Sequence, residues 1–120
     1  MALKDKLKRF TATAAQLDDE RLRDFCSAFP HVKAMGDLLP REHGTVVGEV
    51  QSWRIVPKPD GSPWLEATVS DGTGTIVVMW TGRKKIAGVH EGRRLLVSGR
   101  GHPSGRTGRL LILNPRYELL

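Results

Sequence analysis

Two periods divide the chain. Through the first part, apolar residues fall three and four apart: Leu3, Leu7, Phe10, Ala14 and Leu17, then Leu22, Phe25, Cys26 and Phe29. Such spacing returns to one side of an α-helix. Asp18-Asp19-Glu20 reads as a helix start, with Asp18 or Asp19 as N-cap and acid in the first turn, where the macrodipole favours it. The pattern predicts two helices, or one bent unit, since Gln16-Leu17 contains no strong breaker. Pro30 ends the helical stretch. Residues 30–43 carry Pro30, Gly36 and Pro40, which is connector chemistry. Val32, Met35, Leu38 and Leu39 are nevertheless placed to pack against the C-terminal part of the chain.

From Thr45 the period becomes two. Thr45–Val56 is long for a strand, and Gly48 within it suggests a bulge or sharp coil that lets one strand serve two sheets. A turn-rich loop at residues 57–63 leads to Trp64–Ser70, where Leu65, Ala67 and Val69 alternate inward and Trp64, Glu66 and Thr68 outward. Asp71-Gly72-Thr73-Gly74 supplies the positive-φ positions of a tight hairpin, and Thr75–Trp80 is its returning strand. Gly82–Gly92 has room for one or two helical turns. Gly92–Arg100 reads as a fourth strand, Gly101–Gly108 as a flexible loop, and Arg109–Leu113 as a fifth strand. Asn114-Pro115 then turns the chain into a short tail, Tyr117–Leu120.

These elements predict a mainly β domain. Residues 1–40 form a helical arm and connector, and residues 41–120 a five-stranded Greek-key barrel of the OB-fold kind. An SH3-like barrel also has five strands but lacks the connector between the third and fourth.

Net charge sharpens the picture. The chain carries +6 overall, as +1 over residues 1–40, −2 over 41–80 and +7 over 81–120, where nine Lys/Arg face two Asp/Glu. Solubility alone does not concentrate positive charge in the last third; a polyanionic partner does. Lys4, Lys6, Lys8 and Arg9 are diluted by Asp5 and read as a solvated face.

Several chemistries are excluded. The single cysteine, Cys26, rules out a disulfide framework and sits beside Phe25 as a packed thiol. His31 and His43 have no partner at metal-ligand spacing, so no metal or cofactor is expected. There is no Gly-x-Ser-x-Gly, no His-Glu-x-x-His and no Walker lysine, and Gly99–Gly105 enters no βαβ unit. Asp71 belongs to the hairpin turn, and the glutamates have no paired spacing. A non-enzyme is expected. With neither a signal-peptide core nor a membrane-spanning run, a soluble cytoplasmic protein is expected.

The segment from Gly44 to Leu120 resembles OB-fold nucleic-acid-binding domains of the anticodon-binding and RecG-wedge type. The matching residues are Val46-Val47-Gly48-Glu49-Val50, Asp71-Gly72-Thr73-Gly74 with Ile76, Val78 and Trp80, Gly92-Arg93-Arg94-Leu95, Val97, Gly99-Arg100, and Asn114–Leu119. The whole chain is also similar to short stand-alone OB-fold proteins of high-GC Gram-positive bacteria, through Gly82–Ile86 and Asn114–Leu119. The resemblance implies single-stranded DNA or RNA bound on the outward face of strands two and three.

Such a face needs flat side chains for bases and cations for phosphates. Trp53, beside Arg54, and Trp64, near Lys58, are the stacking candidates, whereas Trp80 shares parity with Ile76 and Val78 and reads as core. Arg83, Lys84, Lys85, Arg93, Arg94, Arg100, Arg106 and Arg109 are expected to converge on one rim of the barrel. The rival expectations are a protein-interaction module whose basic rim meets an acidic partner, and an accessory domain acting with an enzyme.

Overall fold

A computed structural model describes residues 3–105 and 108–120. Helix α1 (Leu3–Ser27) is followed by a 3-10 turn at Met35–Asp37. Six strands come next: β1 (His43–Pro57), β2 (Pro63–Ser70), β3 (Thr75–Thr81), β4 (Arg94–Pro103), β5 (Leu110–Leu113) and β6 (Arg116–Leu119). Hydrogen bonding runs β1-β2-β3-β5-β4, and β1 pairs with β4 to close the ring. All pairings are antiparallel except β3 with β5.

The five-stranded barrel forms as the alternation predicts. Leu65, Ala67 and Val69 of β2 and Ile76, Val78 and Trp80 of β3 point into one core with Val46, Val50, Leu95, Val97 and Ile112. Each fully buried aliphatic side chain of this kind contributes about 1.5–3 kcal/mol.

Four expectations need correction. The helical stretch is one unit, the second of the two expected arrangements, but Asp18 and Asp19 lie in the interior of a continuous α1 rather than at a cap. Residues 82–93 form turns with no helix, and Ile86 and Val89 drop from them to plug the barrel end. The tail is a sixth strand: β6 pairs with Leu95–Ser98, on the edge of β4 that β5 leaves open. The bulge lies at Gln51, where the β1–β2 register slips between Val50 and Ser52, and not at Gly48.

Gly48 has a different reason to be glycine. A Cβ there would sit 2.6 Å from Val69 Cγ1 and would also strike Met35. The missing side chain admits the connector into the core, where Met35 and Leu38 are buried. Leu39 stays exposed.

The connector is tied down by Asp71, the one buried charged residue among those described. Its Oδ2 accepts from Met35 N at 2.7 Å. Its Oδ1 accepts from Thr73 N, Thr73 Oγ1 and Gly74 N at 2.9, 2.6 and 3.1 Å. One carboxylate thus closes the hairpin turn and clamps the connector to it.

On the outside of β1, Leu22 and Cys26 of α1 bury against Val47, flanked by Phe25, Phe29, Val32 and Leu96. Burial raises the Cys26 thiol to about 11, with the nearby Asp71 carboxylate adding to the shift. A thiol so raised is protonated at neutral pH and a poor nucleophile. In native protein at pH 8, Cys26 is expected to react with a disulfide reagent at least ~10-fold slower than in denaturant. Equal rates would show that the thiol is open to solvent.

Candidate nucleic-acid interface

The bulge decides which side chains share a face. Before Gln51, Val46 and Val50 point inward while Val47 and Glu49 face α1 and Arg94. After it the parity is reversed. Trp53 pairs with Ala67 and Ile55 with Leu65, on the core side of the sheet. Arg54 pairs with Glu66 and Val56 with Trp64, on the outer side. The register with β3 adds Val77 and Met79 to that outer face, opposite Thr68 and Glu66. Alongside them, β5 contributes Leu111.

A groove of about 240 Å³ runs over this outer face. Val56, Val77, Met79 and Leu111 make its floor, and Arg54 and Glu66 lie within it. Lys58, from the β1–β2 loop, and Ser104, from the β4–β5 loop, stand at its sides. The β1–β2 loop is shaped by Asp60, whose Oδ1 accepts from Ser62 N and Ser62 Oγ at 2.9 and 2.6 Å. These bonds favour the ionised form and hold the Asp60 carboxyl below its usual range.

Trp64 stands beside the groove, half-buried, with the Lys58 ammonium 4.1 Å from its ring centre. A cation over an indole is held by the ring quadrupole, weakly where exposed. A flat group of similar footprint can replace it and leave the ammonium for an anion. Arg54 donates to Glu66 through Nε at 2.9 Å, an exposed pair of the kind that contributes ~1 kcal/mol or less.

The predicted basic rim is divided. Arg54, Lys58 and Trp64 come together at the groove. Arg83, Lys84 and Lys85 are exposed on the β3–β4 connector, at another part of the barrel. Lys85 there shares a hollow with Trp53, Ile86, Val89 and His90. Trp53 is therefore separated from Trp64 by the thickness of the sheet, contrary to the expectation of adjacent indoles. Arg94 lies under α1, donating to Glu49 at 3.2 Å and stacked 4.1 Å from the Phe25 ring. Arg93 is half-buried, and its carbonyl accepts from Val50 N. Arg100 donates to the Arg41 carbonyl at 2.7 Å. Arg109 is exposed in the β4–β5 loop, where its carbonyl accepts from Ser104 N, and Arg106 lies outside the described residues. Trp80 is core, as expected, with its ring edge-on to Tyr117 at 5.6 Å.

The ring order, the long coiled first strand and the loop-flanked outer face define an OB-fold. No family model matches the chain, and the comparison with curated proteins finds no match. Solved structures do match. A structure of RecG bound to a three-way DNA junction aligns with TM-score 0.59 and 25% identity, over 74% of this chain but only 12% of that one. The second OB-fold domain of replication protein A from Methanococcus maripaludis aligns with TM-score 0.54 and 22% identity, over 73% of this chain and 93% of that one. Among the described residues, no helix is long and apolar enough to cross a membrane, and no cluster of His, Cys, Asp or Glu is arranged to hold a metal ion.

Proposed function

We propose that this chain is a nucleic-acid-binding module, not an enzyme, that takes single-stranded DNA or RNA with little sequence preference in the outer-sheet groove. The observation that carries the reading is the groove's make-up. An apolar floor, one indole and two cations lie together between the two loops, while the rest of the molecule carries excess positive charge. Bases gain roughly 1–3 kcal/mol each from stacking on an aromatic ring, whatever their identity. Phosphates gain from Lys58 and Arg54, once Arg54 turns from Glu66. The RecG structure was determined with DNA, which agrees with a nucleic-acid role for the fold shared here.

The test is an anisotropy titration of labelled DNA and RNA 20-mers at two salt concentrations. Four phosphate contacts give a log–log salt slope of about −3 for a single strand. A slope near zero, or no binding at low salt, would remove the electrostatic basis of the reading. A stoichiometric protein captured without any oligonucleotide affinity would favour the protein-interaction alternative, for which the exposed Trp53 and Ile55 offer a surface.

A further inference from the structure

Helix α1 carries two apolar stripes in its sequence, and the C-terminal one packs on the barrel. Leu22 and Cys26 bury against Val47, and the hairpin turn comes so close that a Cβ on Gly72 would lie 2.7 Å from the Asp19 carbonyl and from Arg23 Cγ. The barrel-facing side is thus defined by positions 19, 22, 23 and 26. The other stripe is Leu3, Leu7, Phe10, Ala14 and Leu17, spaced four, three, four and three, which is the repeat of a coiled-coil seam. With Leu7 and Ala14 as a and Leu3, Phe10 and Leu17 as d, positions 19, 22, 23 and 26 are f, b, c and f, on the back of the helix, and the barrel-packed Phe25 is an e position beyond the C-terminal end of the seam. Every residue from Ala14 to Arg21 is exposed, and Leu17 is 47% exposed. The molecule is 57 Å long with a radius of gyration of 16.1 Å, against roughly 14 Å for a compact chain of this length. The helix thus extends off the barrel, and Ala14 and Leu17, the two seam positions whose side chains are described, lie open; Leu3, Leu7 and Phe10 join them by sequence pattern.

We propose that the occupant of this seam is a second copy of the same helix, packed antiparallel. The sequence is self-complementary in that orientation alone. Antiparallel pairing about a two-fold axis midway between Thr11 and Thr13 sets Leu7 against Leu17 of the second copy and Phe10 against its Ala14. Large meets small in each Phe10–Ala14 layer, as close packing requires. The flanking e positions are Lys4, Thr11 and Asp18, and the g positions are Lys6, Thr13 and Glu20. Antiparallel helices oppose e to e and g to g. Lys4 then meets Asp18 and Lys6 meets Glu20, each pair formed twice by symmetry, and each threonine meets its own copy once. Parallel pairing sets Lys6 against Thr11 and Thr13 against Asp18, with no opposite charges joined, and stacks Phe10 on Phe10 and Ala14 on Ala14. Charge and volume agree on one register. The two barrels would then sit at opposite ends of the helix pair, each with its groove free.

Sedimentation equilibrium of the full chain tests this directly. The wild type is expected to dimerise with a Kd in the micromolar range, roughly 1–50 µM given the short seam. Leu17→Glu should weaken the dimer at least ~10-fold while leaving the barrel's melting unchanged, since residue 17 is exposed in the monomer. The decisive arm is a charge exchange. K4E/K6E alone and D18K/E20K alone each set like charges face to face and should be largely monomeric, whereas an equimolar mixture restores the dimer as a heterodimer. A wild type still monomeric at ~200 µM overturns the proposal. So does a dimer that survives Leu17→Glu, or a mixture that fails to re-associate.

Discussion

Replacing Asp71 with alanine is expected to lower the melting temperature by roughly 10–20 °C, the largest loss of any single change outside the apolar core. The carboxylate is 3% exposed and accepts four hydrogen bonds, three from its own turn and one from Met35 N. Removing it leaves the Met35 amide, a buried donor, without an acceptor and releases the hairpin turn at once. Each orphaned buried group costs about 1–3 kcal/mol, and bonds to a charged acceptor are the stronger kind. A total near 3–5 kcal/mol results, and a domain of this size shifts by about 4 °C per kcal/mol. Asp71→Asn separates the two halves of the clamp. Its amide oxygen can keep the turn, but its NH2 then faces the Met35 N–H, donor against donor. Asparagine is expected to fall between wild type and alanine by calorimetry. An alanine variant melting within ~2 °C of wild type would show that the connector is held by Met35 and Leu38 packing alone.

The same residue shows what could be read in advance. Asp-Gly-x-Gly between two apolar runs is a turn signal with a mechanism, and the hairpin formed where the pattern placed it. The strands formed likewise because alternation reports burial directly: Leu65, Ala67 and Val69 are all within 1% of complete burial. What stayed hidden depends on contacts distant in sequence. That Asp71 also clamps Met35, thirty-six residues earlier, has no local signature. The absence of a helix between β3 and β4 reflects Ile86 and Val89 being drawn into the barrel end, which outweighs their weak helical preference. The tail became β6 because β5, only four residues long, pairs with just Gly101–Pro103 and leaves most of one β4 edge unpaired.

The candidate site was less legible, for a single geometric reason. Counting by twos along β1 without a bulge assigns every later side chain to a face. The extra residue at Gln51 reverses that assignment. It sends Trp53 to the core side of the sheet and Arg54 to the outer side, so the two aromatic candidates part company. Clustering of charge in sequence likewise overstated clustering in space. Arg94 serves the α1 packing through Phe25 and Glu49, and Arg100 serves the Arg41 turn. The groove's cations come from β1 and its loop, the least basic third of the chain.

That division yields the sharpest functional expectation. Trp64→Ala is expected to raise the Kd for a single-stranded 20-mer by roughly 5- to 150-fold, as loss of one stacked base implies. Trp53→Ala, on the opposite side of the sheet, should change it less than ~3-fold. Stacking is uncharged, so the salt slope of Trp64→Ala should match wild type even as affinity falls. Lys58→Glu should do the reverse: the slope falls in magnitude by about 0.7 because one fewer phosphate counterion is released on binding a single strand. The two substitutions touch one another through the cation–π contact, and their combination should cost less than the sum of the parts. Indole fluorescence supplies the independent check, with quenching on oligonucleotide addition lost in Trp64→Ala and kept in Trp53→Ala. If Trp53→Ala proves the costlier change, the bound strand lies over the β3–β4 connector, where Arg83, Lys84 and Lys85 would supply the phosphate contacts. The groove would then be a lesser surface, and the slope of Lys58→Glu would stay at the wild-type value.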